Sequence, residues 1–349
     1  MWFYYLIFCI ILLFHIYFFG KKASNQIGYF LCLLLIAIAA FRPSNIDRDY
    51  ANYVALFNNI EQTGGSAVEL SLRLISQVIK WFSNNVVFLF LVYAILGVGL
   101  KYVAIKKISE YWILSLLIYF GYFYICFDMT QIREGVAMSF FLLSIPDIQE
   151  RKFKPFLIKF LVAFFFHYSA IVMLPVFFIV RPKHQSFLPY FILLFISIIL
   201  LPVNINYMAI IQSIIPIGGI QTKLNFYNQL SEQGIFTQKN IFSVARIMRI
   251  AVMIFLAVYI RTVERYNRYA RTLLQIYIFS LFVFFLLANL PPVFSYRLGE
   301  FLGIVEIITF PLVAYAIKPR FIGEIVVIVI ALIFLAYNLL VHQYISFYF

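Results

Sequence analysis

The chain has 349 residues, 64% of them hydrophobic and 12% charged, with a net charge of +13 and a mean hydropathy of +0.96. A soluble globular domain is only about half apolar, so this composition excludes one and points to a multi-pass membrane protein. The basic balance would suggest nucleic acid in a soluble chain. Here cytoplasmic retention of Lys and Arg explains it, and no nucleic acid partner is expected.

The N-terminus opens on Met1-Trp2-Phe3-Tyr4-Tyr5 with no basic lead and no small-residue cleavage site. It is expected to be a retained first span rather than a signal peptide. Apolar runs then fall at about 1–20, 26–41, 86–105, 111–127, 133–146, 156–180, 187–203, 241–260, 272–290, 300–317 and 321–341. Their length predicts an all-α, polytopic chain, and the short alternating segments of a β-barrel do not occur. Cys9, Cys32 and Cys126 lie within apolar runs, with no disulfide or metal spacing, and are expected to be buried small hydrophobes.

Basic residues gather between the runs: Lys21 and Lys22; Lys101, Lys106 and Lys107; Arg151, Lys152 and Lys154; Arg181 and Lys183; Arg261, Arg265, Arg268 and Arg271; Lys318 and Arg320. All of them lie on one side if 156–180 is a hairpin that turns near His167-Tyr168-Ser169. That gives about twelve transmembrane or short re-entrant helices, with both termini outside. Each arm of the hairpin has about 12 residues, or roughly 18 Å at 1.5 Å per residue. It is too short for a hydrocarbon core of roughly 30 Å, so its tip should be submerged. Segments 111–127 and 133–146 form a similar pair, with the polar turn Asp128–Glu134 between them. Helices that stop short in a membrane line wet cavities, because their free backbone ends need polar partners.

Two long regions, 42–85 and 204–240, fall outside. The first opens on Arg42-Pro43-Ser44-Asn45-Ile46-Asp47-Arg48-Asp49-Tyr50, which packs two acids and two arginines into nine residues. It continues into 67–82, where Leu70, Leu74, Ile75, Val78 and Ile79 form an apolar stripe with Glu69, Arg73, Gln77 and Lys80 mostly off it. An amphipathic helix in the membrane interface is expected. The second region carries Pro216, Gly218, Gly219 and Gly234 and is expected to form loops and short helices. No internal repeat or separable soluble domain appears, so residues 1–349 are expected to form a single integral membrane domain.

This weave puts a mixture of acids and arginines on the external face: Asp47, Asp49, Glu61, Glu69, Asp128, Glu134, Glu232, Glu300 and Glu306 with Arg42, Arg48, Arg73, Lys80, Arg133, Lys223, Lys239, Arg246, Arg249 and Arg297. Each alone also fits an interhelical salt bridge. So many on one face point to a shared polar site, since a charge at the bilayer centre costs roughly 2.5–3.5 kcal/mol and is normally paired or functional. A guanidinium donates two parallel hydrogen bonds to an oxyanion and stays charged at any pH, which suits phosphate or pyrophosphate. Acids beside arginines suit general-base chemistry. His167 is either a packed, hydrogen-bonded residue or a base or phosphate donor at the hairpin tip. Tyr50 and Tyr53 offer stacking faces for sugar rings. His15, His184 and His342 are expected to be structural. No nucleotide-binding loop or metal motif occurs, so no cofactor and no metal are expected.

Four stretches carry a resemblance: RPSNIDRDYANY from Arg42 to Tyr53, QIREGVAMSFFLLSI from Gln131 to Ile145, FFFHYSAIVMLP from Phe164 to Pro175, and SYRLGEFLGIVEIITFP from Ser295 to Pro311. In order and spacing the chain resembles the EpsG family of bacterial polysaccharide polymerases, relatives of the Wzy O-antigen polymerases. The resemblance implies a metal-independent glycosyltransferase of the GT-C-like type in the bacterial cytoplasmic (inner) membrane, with its site facing the periplasm. Its substrates would be oligosaccharide repeat units on undecaprenyl pyrophosphate, as donor and acceptor, in O-antigen, capsule or exopolysaccharide synthesis. A chain-length-regulating co-polymerase is an implied partner. Arg48, Arg133, Arg297 and Arg249 are then the expected pyrophosphate ligands. Asp49 is the first choice for the base, with Asp47, Glu134 and His167 as alternatives, and Tyr50, Tyr53 and Arg73 would contact sugar. The rival readings are a flippase of lipid-linked sugars and a membrane glycosyl- or acyltransferase that modifies finished glycan.

Overall fold

A computed structural model of the chain describes residues 1–18, 25–44, 46–60, 69–182, 186–203 and 241–342. The expected external region 204–240, the Lys21-Lys22 pair, His184 and the start of the 67–82 helix lie outside the described residues.

Every element is helical: α1 Trp2–Tyr17, α2 Asn25–Ala40, α3 Tyr50–Asn58, α4 Leu70–Lys80, α5 Val87–Ile108, α6 Trp112–Thr130, α7 Ile132–Gln149, α8 Phe153–Phe166, α9 Tyr168–Ile179, α10 Leu188–Ile199, α11 Val244–Val258, α12 Ala270–Leu286, α13 Pro292–Gly303, α14 Glu306–Ala316 and α15 Arg320–Val341. A short turn, Ile260–Val263, follows α11. By length and composition α5, α6 and α15 are long and apolar enough to cross a membrane, and α13 with α14 makes a fourth span if their 41° bend is counted as one helix. The other apolar helices are shorter. At 16 residues, α1 and α2 each reach about 24 Å.

The packing sorts the helices by their surfaces. The hydrophobic stretch of α6 is wholly buried and α12 is nearly so; both are apolar on all sides, as a central helix must be. Outward faces of α1, α2, α10, α11 and α15 carry exposed Leu, Ile, Phe and Val. An apolar outer surface of that extent belongs against lipid. Cys9 is exposed on α1, contrary to the expected burial, while Cys32 and Cys126 are buried.

The 156–180 run folds back on itself. Helix α8 ends at His167, whose backbone is extended, and α9 returns. Phe153 and Phe156 stack on Phe177, and Arg151 donates to the Val180 carbonyl at 2.9 Å, so the two ends of the run meet at its base. The second expected turn is tighter than the Asp128–Glu134 loop. Gln131 alone breaks the helix, and α7 then packs mainly on α5 and α8. Asp128 does not lie at a polar tip. It is buried in a π-helical stretch and pairs with Lys101 at 2.9 Å, with the Tyr119 hydroxyl donating to it at 2.7 Å. Lys101 is fully buried in turn and also donates to the Gly135 carbonyl, so it belongs to the core rather than to a basic loop.

The described residues of the other basic clusters converge on one end. Asn267 donates to the Ile108 carbonyl, Lys106 lies over Trp112, and Gln275 bonds the Arg181 backbone. Tyr266 stacks on Tyr315, and Arg320 lies over Tyr111. His15 meets Glu324 at 3.0 Å, close to that end. The acid-and-arginine residues gather at the opposite end.

Candidate functional site

At that opposite end the chain leaves α2 and enters α3 through the Arg42–Tyr50 turn. Asp47 is buried and accepts from Arg42 Nε at 2.7 Å and from the Asp49 backbone N–H at 3.0 Å. Arg42 also donates to the Ala39 carbonyl and lies 3.9 Å over the Phe90 ring. This pair closes the turn and sets the direction of α3. Burial pushes the Asp47 carboxyl up against the opposing pull of Arg42. Asp49 is half-buried and occupies the N-cap position of α3 without capping it. Burial pushes its carboxyl above the ordinary aspartate range, and the Asp47 charge adds to that; Arg297 and Arg133 pull the other way. Asp47 is therefore committed to the turn, and Asp49 answers to arginines on two distant helices. Arg48 is exposed on the same turn.

Arg133 stands in the first turn of α7 and pairs with Glu69, the residue just before α4. Its guanidinium lies 5.5 Å from the Tyr53 ring, and its Nε has no hydrogen-bond partner among the described residues. Tyr53 is buried and packs edge-on against Phe90; Tyr50 is half-buried at 5.0 Å from the same ring. Next to Arg133, Glu134 is only 1% exposed, and neither of its carboxylate oxygens has a hydrogen-bond partner among the described residues. The charged groups that act on it are Arg297, Glu69, Arg133 and Glu300. Arg297, on α13, is half-buried and has no ion pair of its own within 4.0 Å among the described residues, while its charge acts on both Asp49 and Glu134.

At the hairpin tip, His167 Nδ1 accepts the Ser169 backbone N–H at 3.2 Å, and Nε2 faces Glu69 Oε1 at 3.8 Å. An Nδ1 that accepts has no proton, so the ring proton sits on Nε2, toward the carboxylate. That orientation turns the Nε2–H edge of His167 toward Glu69, at a separation longer than a hydrogen bond.

Arg249 is held differently. It forks onto Glu300 at 2.6 and 3.2 Å and its Nε lies 3.1 Å from Glu306. Arg246 joins at 3.8 Å from Glu300 and stacks 3.4 Å over Phe284. All four charges are buried, and the group ties α11 to α13 and α14. Arg73 is exposed on α4.

The expected set thus divides. Arg133 and Asp49 act on Tyr53, Arg297 acts on Asp49 and Glu134, and His167 reaches the group through Glu69; Asp47 and Arg249 are engaged by partners of their own, and Arg48 and Arg73 lie on the exposed rim. Glu69 was expected on the polar side of an interfacial helix and instead sits at the centre of this group. Its partners are 64 and 98 positions away in the chain, so only its place as a lone acid at the start of an amphipathic helix marked it.

A described body that is all helical, with an apolar outer surface, basic residues at one end and a buried seam of arginines and carboxylates at the other, is that of a membrane protein. The EpsG family profile matches residues 25–349, and the chain belongs to that family. Membership supports a polymerase-like role in polysaccharide biosynthesis. No curated protein and no solved structure matches the chain.

Proposed function

We propose that the chain is a GT-C-like, metal-independent polysaccharide polymerase. It joins oligosaccharide repeat units carried on undecaprenyl pyrophosphate at the outer face of the bacterial cytoplasmic membrane. The observation that carries this reading is Arg297: a half-buried cation with no ion pair among the described residues, acting on two carboxyl groups of different helices. A site with an uncommitted arginine beside an available carboxylate suits a leaving pyrophosphate and an acceptor hydroxyl.

In the proposed reaction the acceptor hydroxyl attacks the anomeric carbon of the donor sugar. Its proton passes to Asp49, the new glycosidic C–O bond forms, and the C–O bond to pyrophosphate breaks. Arg297 and Arg133 stabilise the charge that builds on the leaving group, and Arg48 meets the phosphates at the rim. Glu134 is the second candidate for the base, since its oxygens are unpartnered. Tyr50 and Tyr53 face the sugars, with Arg73 further out on α4. Arg249 supports the site by holding α13 through Glu300.

The test is glycan length in cells that lack the gene and are complemented with single variants. Arg297→Ala and Arg133→Ala are expected to leave surface glycan of one repeat unit. Wild-type ladders from both variants would sink the assignment. Loss of all surface glycan in the deletion strain would point instead to a flippase.

A further inference from the structure

Glu69 has no part in the reaction just described, yet its carboxylate is shared by two of the site's residues. Arg133 at the start of α7 takes Oε2, and His167 at the α8–α9 tip faces Oε1. The helix that follows Glu69 is itself docked there. Ser71 donates to the Phe166 carbonyl at 3.4 Å, one residue before His167, and accepts from the Tyr93 hydroxyl at 3.2 Å. Ser71, Leu72, Ser76 and Ile79 form the buried face of α4. The predicted apolar stripe is therefore split. Ile79 turns inward, while Leu70, Leu74 and Val78 are exposed and continue into exposed Trp81 and Phe82. One side of α4 thus grips the hairpin tip and the other is free to lie in lipid.

We propose that Glu69 is a positioning residue of the polymerase site; the proposal rests on the pyrophosphate reading above. One carboxylate sets the spacing of two hairpins and aims the unpartnered Nε edge of Arg133 at the donor phosphates. Its Oε1 also faces His167 Nε2 at 3.8 Å, which turns that edge of the imidazole toward Glu69 and leaves the task of base to Asp49 or Glu134. Because α4 carries Glu69 at its first turn, the arginine is set by a helix that rests on the membrane surface where the lipid-linked donor lies.

The experiment measures binding of undecaprenyl pyrophosphate to the purified full chain in detergent. Glu69→Gln, which keeps the size of the side chain and removes its charge, is expected to weaken binding by about tenfold through loss of a charge-assisted hydrogen bond. Glu69→Asp should fall between wild type and Glu69→Gln. If Glu69 acts through Arg133, the double variant Glu69→Gln/Arg133→Ala binds no worse than Arg133→Ala alone. A purely structural role would give additive losses and a lower melting midpoint, and either result overturns the proposal. Wild-type affinity in Glu69→Gln with affinity lost in Arg297→Ala also overturns it and leaves the pyrophosphate reading standing. Wild-type affinity in Arg297→Ala removes that reading and this one with it.

Discussion

Asp47 and Asp49 stand two residues apart and differ in almost everything that matters for chemistry. Asp47 is engaged by Arg42 and by the backbone of its own turn, while Asp49 is balanced by charges from α7 and α13 and by the Asn52 side chain. Burial and the Asp47 charge both raise the Asp49 carboxyl. A base with a raised pKa gains its carboxylate form at higher pH, so the acid limb of polymerisation should lie above the ordinary aspartate range. Removing the neighbouring charge lowers Asp49 again, and Asp47→Asn is expected to move that limb toward acid. A pH–rate profile of the solubilised enzyme checks this, and an unmoved or alkaline-shifted limb would exclude Asp49 as the base. The residues of the site were unevenly legible. Arg133 and Arg297 stood out as charges at the starts of apolar runs, beside acids on the expected external face. Glu69 did not, because the partners that give it meaning come from two other helices.

Among the elements, α6 shows how closely helices meet in this fold. A Cβ placed on Gly121 would lie 2.5 Å from the Ala331 carbonyl oxygen on α15, a backbone atom that cannot swing aside. Gly121→Ala should push α6 and α15 apart and cost about 1–3 kcal/mol, the usual range for overpacking. A melting midpoint in detergent that stays at the wild-type value would contradict that contact. Helix existence and order were readable from hydropathy, and so was the hairpin at His167, because a polar turn divides an over-long apolar run. The single-residue break at Gln131 was not readable. Five of the seven residues from Asp128 to Glu134 are polar, yet most of the stretch remains helical, with Asp128 held by Lys101 and Tyr119 inside the bundle. Lys101 misled for the same reason: near a helix end, a lysine that pairs in the core cannot be told from one that marks a cytoplasmic loop.

For the whole molecule, the two ends differ in kind. One carries most of the described basic residues, several of them lying over aromatic rings, and the other carries the arginines that cluster with buried acids. If the first faces the cytoplasm, Ser44 and Glu110, both exposed, lie on opposite sides of the membrane. In a variant whose native cysteines are replaced, a membrane-impermeant maleimide added to intact cells should label Ser44→Cys and spare Glu110→Cys. Labelling of both positions, or of Glu110→Cys alone, would reject this orientation. This global arrangement was the most legible part of the chain, since positive charge between spans is a signal of composition and needs no knowledge of contacts.

The four-charge clasp on α11, α13 and α14 has a consequence for how the protein is made. Arg246 and Arg249 are synthesised some fifty residues before Glu300 and Glu306, the acids that neutralise them. Until those acids emerge, the two cations in the first turns of α11 can reach only the membrane interface. The final seat of α11 is therefore set late, when α13 and α14 bring their carboxylates to it.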